Sequence, residues 1–306
     1  MESLKKWIVC LDLTKMDEAV IGYVNYFAQL VKPEQIKFLH VIESYDVFQD
    51  IVEEFPEIET EEDLNELLTK QILETVEDKF NGNAPEAEVV IQKGSATDRI
   101  IKLMDTENPD LLILGKKAGY KGEGVLAQRI VKYVPCSVLF VPETARYNLE
   151  NITVPIDFSE QSEKAANVAL QLVKPAKGQV VAQHLFDYPK QFFPYMPDKK
   201  TMKKMDEDLA KKKKDFLERV KTPGGTDFEV ELTLHQDGKM SDEIYDLCIS
   251  NQTDMIVVFS KARGNLLAFM SDKLPDRMAK YNFGIPLLIL KNKERNRKFF
   301  KTFLKS

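Results

Sequence analysis

The sequence predicts an α/β protein made of two tandem, doubly wound, five-stranded parallel sheets. Three observations carry that reading. Short apolar runs alternate with amphipathic stretches along the whole chain, which is the pattern of parallel strands joined by helical crossovers. Landmarks of the first half return in the second at an offset of 144 or 145 residues: Val9-Cys10-Leu11-Asp12 with Val154-Pro155-Ile156-Asp157, His40 with His184, and Asp110-Leu111 with Asp254-Met255. The length, 306 residues, suits two ordinary domains, and a period this long excludes a solenoid of short repeats.

Taken in order, strands are expected near 7–12, 36–42, 87–91, 110–114 and 137–141 in the first copy. Those of the second are expected near 151–156, 179–185, 228–234, 254–259 and 285–290. Helices fill the gaps. Ser159 reads as an N-cap followed by Ser162 and Glu163 in the first turn, with Ala165, Ala166, Val168, Ala169, Leu172 and Val173 facing inward. Residues 142–150 form a short linker. The expected domains are therefore 1–145 and 146–291, with a basic tail at 292–306. In such sheets ligands bind outside the carboxyl ends of the strands at the switch point, and Asp12, Val41, Asp157, Leu185 and the loops after 114 and 258 fall on that edge.

Composition narrows the function. Charged residues make up 30% and apolar residues 43%, as in an ordinary folded domain. The net charge of −6 argues against a basic coat for nucleic acid. Cys10, Cys136 and Cys248 are too far apart for a Cys-x-x-Cys pair, and their odd number resists a disulfide framework, so a reducing cytoplasm is expected. The N-terminal apolar run is cut by Asp12 before it could act as a signal core, and no run approaches the ~18 to 20 apolar residues of a spanning helix.

Val154-Pro155-Ile156-Asp157-Phe158-Ser159, leading into Ala165-Ala166, resembles the first strand and helix of the universal stress protein family. The stretch from Val9 to Ala19 is a weaker version. The likeness continues through Leu39-His40-Val41, Asp98 to Met104, Pro109 to Gly115 and Val134 to Val141, so it spans both halves. It implies two flavodoxin-like domains of the adenine nucleotide alpha hydrolase type, paired within one chain as the family's subunits pair. ATP-binding members carry Gly-x2-Gly-x9-Gly-Ser/Thr after the fourth strand, where glycines bring backbone N–H groups close to phosphates. Both copies depart from it. In the first, Gly115 fits, Ala118 takes the second position, and Gly124 comes four residues early and precedes Val125. In the second, Phe259 and Ala262 replace the first two glycines, and Asp272 or Lys273 replaces the third.

The loop from Gly115 to Gly124 still holds Gly115, Gly119, Gly122 and Gly124 with three lysines, a composition able to cradle an anion. It lacks the Gly-Lys-Ser/Thr of a Walker loop. The match of its end to a dinucleotide fingerprint follows the wrong strand. ATP or AMP is thus a candidate ligand of the first copy and of the first copy alone. The alternative is a surface loop whose glycines only satisfy turn geometry. Asp12 and Asp157 are placed to meet a ribose or adenine edge, as the resemblance implies, or to satisfy backbone N–H groups at the strand ends.

Other features read more plainly. His40 and His184 occupy equivalent strand ends and share a structural role, and His235 has no second His or Cys nearby to complete a zinc set. No nucleophile elbow Gly-x-Ser-x-Gly occurs. Acidic clusters at Glu53-Glu54 and Glu61-Glu62-Asp63 read as surface charge. Met202, Met205, Leu209, Phe216 and Val220 follow helical spacing, with Asp206 to Asp208 preceding Lys211 to Lys214 on a solvated face. Residues 186–197, with five aromatics and three prolines, suit a lid or a docking loop. Residues 291–305, with seven basic and four large apolar residues, suit a tail, an anionic membrane surface or a partner. The expected role is a cytoplasmic stress-response binding module without an assigned reaction or metal. Two alternatives remain: a nucleotide binder with one surviving site, with or without slow ATP hydrolysis, and a ligand-free scaffold for an unidentified protein.

Overall fold

The computed structural model describes residues 4–43, 58, 60–80, 85–117, 125–187, 198–235, 240–260, 284–294 and 296. The chain forms two compact units, one made of residues up to Tyr147 together with a late strand, the other running from Asn148 through Ser260.

In the first unit β1 (Lys6–Leu11), β2 (Gln35–Ile42), β3 (Glu86–Lys93), β4 (Leu111–Lys116) and β5 (Ser137–Pro142) are all parallel and lie in the order β3-β2-β1-β4-β5. The order reverses between β1 and β4, the doubly wound switch point. The crossovers carry α1 (Met16–Val31), α2 (Glu61–Phe80), α3 (Ala96–Glu107) and α4 (Val125–Tyr133). Central strands are buried on both faces, so Leu111-Leu112-Ile113 and Val138-Leu139 read as unbroken apolar runs without alternation. Trp7 stacks on Phe27 of α1 at 5.4 Å between ring centres, which fixes α1 against the sheet. The acidic trio at 61–63 opens α2. Asp63 accepts the Thr60 N–H (2.7 Å) and hydroxyl (2.8 Å), and the Thr60 hydroxyl oxygen accepts the Asp63 N–H (3.1 Å), a reciprocal cap.

The second unit repeats the plan with β6 (Asn151–Pro155), β7 (Gln179–Phe186), β8 (Asp227–Leu234) and β9 (Met255–Ser260), parallel in the order β9-β6-β7-β8. Its helices are α5 (Glu160–Val173), α6 (Lys199–Arg219) and α7 (Met240–Ser250). Ser159 caps α5 by accepting the Ser162 N–H at 3.3 Å, as its position predicts. Leu209, Phe216 and Val220 bury the inner side of α6 and its end, while Met202 and Met205 are only half-buried and Asp206 to Asp208 face solvent.

The strand that the sequence pattern places last in the second copy, β10 (Leu287–Lys291), packs with the first unit. It runs antiparallel to β5, with Leu287 opposite Phe140 and Ile289 opposite Val138. Two lysines anchor its end. The Lys291 ammonium donates to the carbonyls of Val131 (2.5 Å) and Val134 (2.6 Å) at the C-terminus of α4, and Lys293 donates to the Asn108 carbonyl (2.7 Å) and pairs with Asp110 (2.5 Å). Among the described residues no helix is long and apolar enough to cross a membrane.

Candidate functional site

The carboxyl ends of β2, β1 and β4 lie side by side, with Leu11 opposite His40 and Cys10 opposite Leu114. Three of the residues expected to form a ligand edge meet there: Asp12 just after β1, Val41 near the end of β2, and Gly115 in the last turn of β4. Gly119, Gly122 and Gly124 lie outside the described residues, as do Ala118, Ala262, Asp272 and Lys273, nearly all of the 186–197 loop and most of the basic tail.

Asp12 is built into its turn. One carboxylate oxygen accepts the Thr14 N–H (3.2 Å) and the Thr14 hydroxyl (2.5 Å), and the other meets the Lys117 ammonium at 2.7 Å. Burial works to raise the Asp12 pKa, but Lys117 and Thr14 together outweigh it and hold the carboxyl below its ordinary value. The ion pair bridges the two strands that flank the switch point. Both side chains remain about half exposed, at 40% and 52%, and an exposed pair of this kind is worth only ~0–1 kcal/mol. A ligand group that replaces either partner therefore loses little.

Beneath it lies a carboxylate that did not figure among the expected site residues. Asp17, 9% exposed on the first turn of α1, accepts the N–H groups of Asp12 (3.1 Å) and Leu13 (2.7 Å). This holds Leu13 in the left-handed conformation at φ 56° and turns the chain from β1 into α1. Burial dominates its titration and pushes it up to about 6 despite the two N–H bonds. The signal was present in the repeat. Asp157, just after β6, stands five residues before Ser162, as Asp12 stands five before Asp17. In the second copy the Ser162 hydroxyl donates to Asp157 (2.7 Å) and its oxygen accepts the Asp157 N–H (3.0 Å), with Phe158 at φ 62°. One turn geometry is thus held by a carboxylate in one copy and a hydroxyl in the other.

Gly115 allows a close approach of α1 to the sheet. A Cβ there would lie 2.8 Å from Met16 Cγ and 3.0 Å from Val20 Cγ2. Its neighbour Lys116 stands with its ammonium 5.7 Å above the Phe140 ring, and burial lowers its pKa to about 8. The two equivalent histidines close the strand ends, with His40 Nδ1 3.1 Å from the Leu11 carbonyl and His184 Nδ1 2.9 Å from the Ile156 carbonyl. Burial lowers both pKa values and favours the neutral ring. Burial pushes all three cysteine thiols up to about 12, which keeps them protonated and weakly nucleophilic. Among the described residues no group of three or more His, Cys, Asp or Glu side chains is placed to hold a metal ion.

As for the fit of an adenine nucleotide, Asp12 is a carboxylate able to accept ribose hydroxyls once Lys117 releases it, and Lys117 is then a cation available to a phosphate. In the second copy the side chain of Phe259 stands at the position of Gly115, where the first copy has no room for even a Cβ.

A model of the universal stress protein family matches residues 4–142 and again 148–280. Among solved structures, a universal stress protein from Archaeoglobus fulgidus aligns over 95% of this chain and 97% of its own at 16% identity and a TM-score of 0.62. A functionally unknown protein from Pseudomonas aeruginosa aligns over 99% and 98% at 12% identity and 0.64, and a putative universal stress protein from the same species over 97% of both chains at 11% and 0.60. At these identities the likeness is one of fold. No curated protein matches the chain.

Proposed function

Because the chain belongs to the universal stress protein family, whose domain it carries twice, we propose that it is a stress-response binding module in which the two copies have diverged. In this reading it acts by binding and not by catalysing a reaction, and its ATP motifs are degenerate in both halves. The observation that carries the divergence is the contrast at the end of the fourth strand: Gly115 beside the Asp12–Lys117 pair in the first copy, Phe259 at the matching place in the second. A bulky ring where a phosphate loop needs bare backbone removes the close N–H approach on which that mode of binding depends.

A second reading is favoured by the ion pair itself. Asp12 and Lys117 offer one acceptor and one cation on the switch-point edge, which suits an adenine nucleotide, ATP or AMP, in the first copy only. Titration calorimetry of the full chain with ATP and magnesium, then with AMP, separates the two. Saturable binding at one site per chain, weakened at least tenfold by Lys117→Ala, supports a nucleotide sensor in the first copy. No heat from folded protein at high micromolar concentration supports a module that works through its surfaces. Two equal sites would overturn the proposed divergence.

The two copies are further proposed to pair within the chain, as separate subunits do in the family. Small-angle scattering of the 35.1 kDa chain should then show one compact particle, and an extended two-lobed particle would argue against it.

A further inference from the structure

Away from the switch point, at the β3 end of the first unit's strand order, a cavity of about 280 Å³ lies between the carboxyl end of β3 and α3. Gln92 and Lys93 line it from the strand, and Arg99, Lys102, Leu103 and Thr106 line it from the helix. The helical residues are spaced i, i+3, i+4 and i+7, so they form one face. Lys93 is paired with Glu61 at 2.9 Å. Arg99 and Lys102 form no ion pair with any described residue. Arg99 is half-buried, its guanidinium set over Gly94, where a Cβ would lie 3.0 Å from Nε. The Gln92 side-chain oxygen is buried and has no hydrogen-bond partner. An orphaned acceptor of this kind costs about 1–3 kcal/mol, so a donor brought to it is rewarded.

The repeat supplies an internal comparison. At the 144-residue offset that relates Asp110 to Asp254, Arg99 corresponds to Glu243 and Lys102 to Asp246. The same helix face is basic in one copy and acidic in the other. In the second copy Glu243 lies 2.8 Å from His235 Nδ1. The reversal leaves the first copy with a basic face that the second lacks, while the core positions Ile100 and Ile244 between them stay the same.

We propose that this cavity of the first copy binds a small oxyanion that carries its own hydroxyl, of the inorganic phosphate or phosphomonoester class. Arg99 and Lys102 hold the anionic oxygens, and the Gln92 side chain, whose oxygen is otherwise buried without a partner, turns toward the ligand to accept a hydrogen bond from the P–OH of hydrogen phosphate or from an alcohol of the ester. The volume lies just below the usual range for drug-sized ligands, which suits a ligand of this size. The site is separate from the Asp12–Lys117 edge and does not depend on the nucleotide reading.

The test is calorimetric titration of the full chain with inorganic phosphate, glycerol 3-phosphate and sulfate at constant ionic strength and pH 7. One site per chain is expected for phosphate or its ester, with at least tenfold weaker binding of sulfate, which has no proton to donate. Tighter binding of the ester identifies an organic phosphate as ligand, and tighter binding of inorganic phosphate identifies the free ion. Lys102→Glu, at an exposed position, should weaken binding at least tenfold with the thermal midpoint little changed, Lys102→Arg should restore it, and Lys117→Ala should leave it intact. Absence of binding at 20 mM phosphate, equal binding of sulfate, or indifference to Lys102→Glu would overturn the proposal.

Discussion

Asp17 is a buried carboxylate that the fold holds with two backbone N–H groups, and its titration has a definite sign. Its folded pKa, about 6, lies above the ordinary 3.8, so between these values the folded chain carries a proton that the unfolded chain has lost. Asp17 therefore adds stability as the pH falls through 6, fully so below about 4, and withdraws it as the pH rises. Replacing it by Asn should remove this dependence. Measured as urea midpoints, the difference between wild type and Asp17→Asn should move in favour of wild type by about 1 kcal/mol from pH 7 to pH 5. An unchanged difference would show that Asp17 titrates normally. The residue scale is also where the sequence was least legible. Asp12 and Asp157 stood out because each ends an apolar run, and the period marked them as a pair. The partnership of Asp12 with Lys117 did not, because it depends on how a loop folds back and no periodicity encodes that. Asp17 and Ser162 were visible only to a comparison of the two copies that looked for different side chains doing one task.

Strands and helices were far more legible, since each is written as a local pattern of burial. β1 was expected at 7–12 and runs from Lys6 to Leu11, and β8 was expected at 228–234 and runs from Asp227 to Leu234. What a strand pattern does not encode is its neighbour. β10 has the apolar run of any buried strand, and nothing in Leu287-Leu288-Ile289-Leu290 says that it will pair antiparallel with β5. Two substitutions probe how elements are joined. Gly178 leads into β7 beside the backbone before β6. A Cβ there would sit 2.8 Å from the Glu150 carbonyl carbon and closer still to its oxygen. Because backbone must yield, Gly178→Ala should destabilise by about 1–3 kcal/mol or more, visible as a lower thermal midpoint. Ser159→Ala removes the cap of α5 and should cost about 1 kcal/mol. An unaltered midpoint in either variant would mean that the junction relaxes freely.

At the scale of the molecule, β10 covers an edge of β5 that would otherwise present unpaired N–H and C=O groups beside Val138, Leu139 and Phe140. A chain ending at residue 283 should therefore associate in a concentration-dependent manner, and sedimentation velocity should resolve species larger than the monomer. A monomeric, fully stable truncation would show that the edge needs no cover. The same pairing sets a clock on biosynthesis. At ~5–20 residues per second, the ribosome makes β10 roughly 7–30 s after β5. Throughout that interval β1 to β5 are in place yet β5 carries a bare edge, so the nascent chain is most vulnerable to its neighbours on the polysome after most of the first unit has already folded.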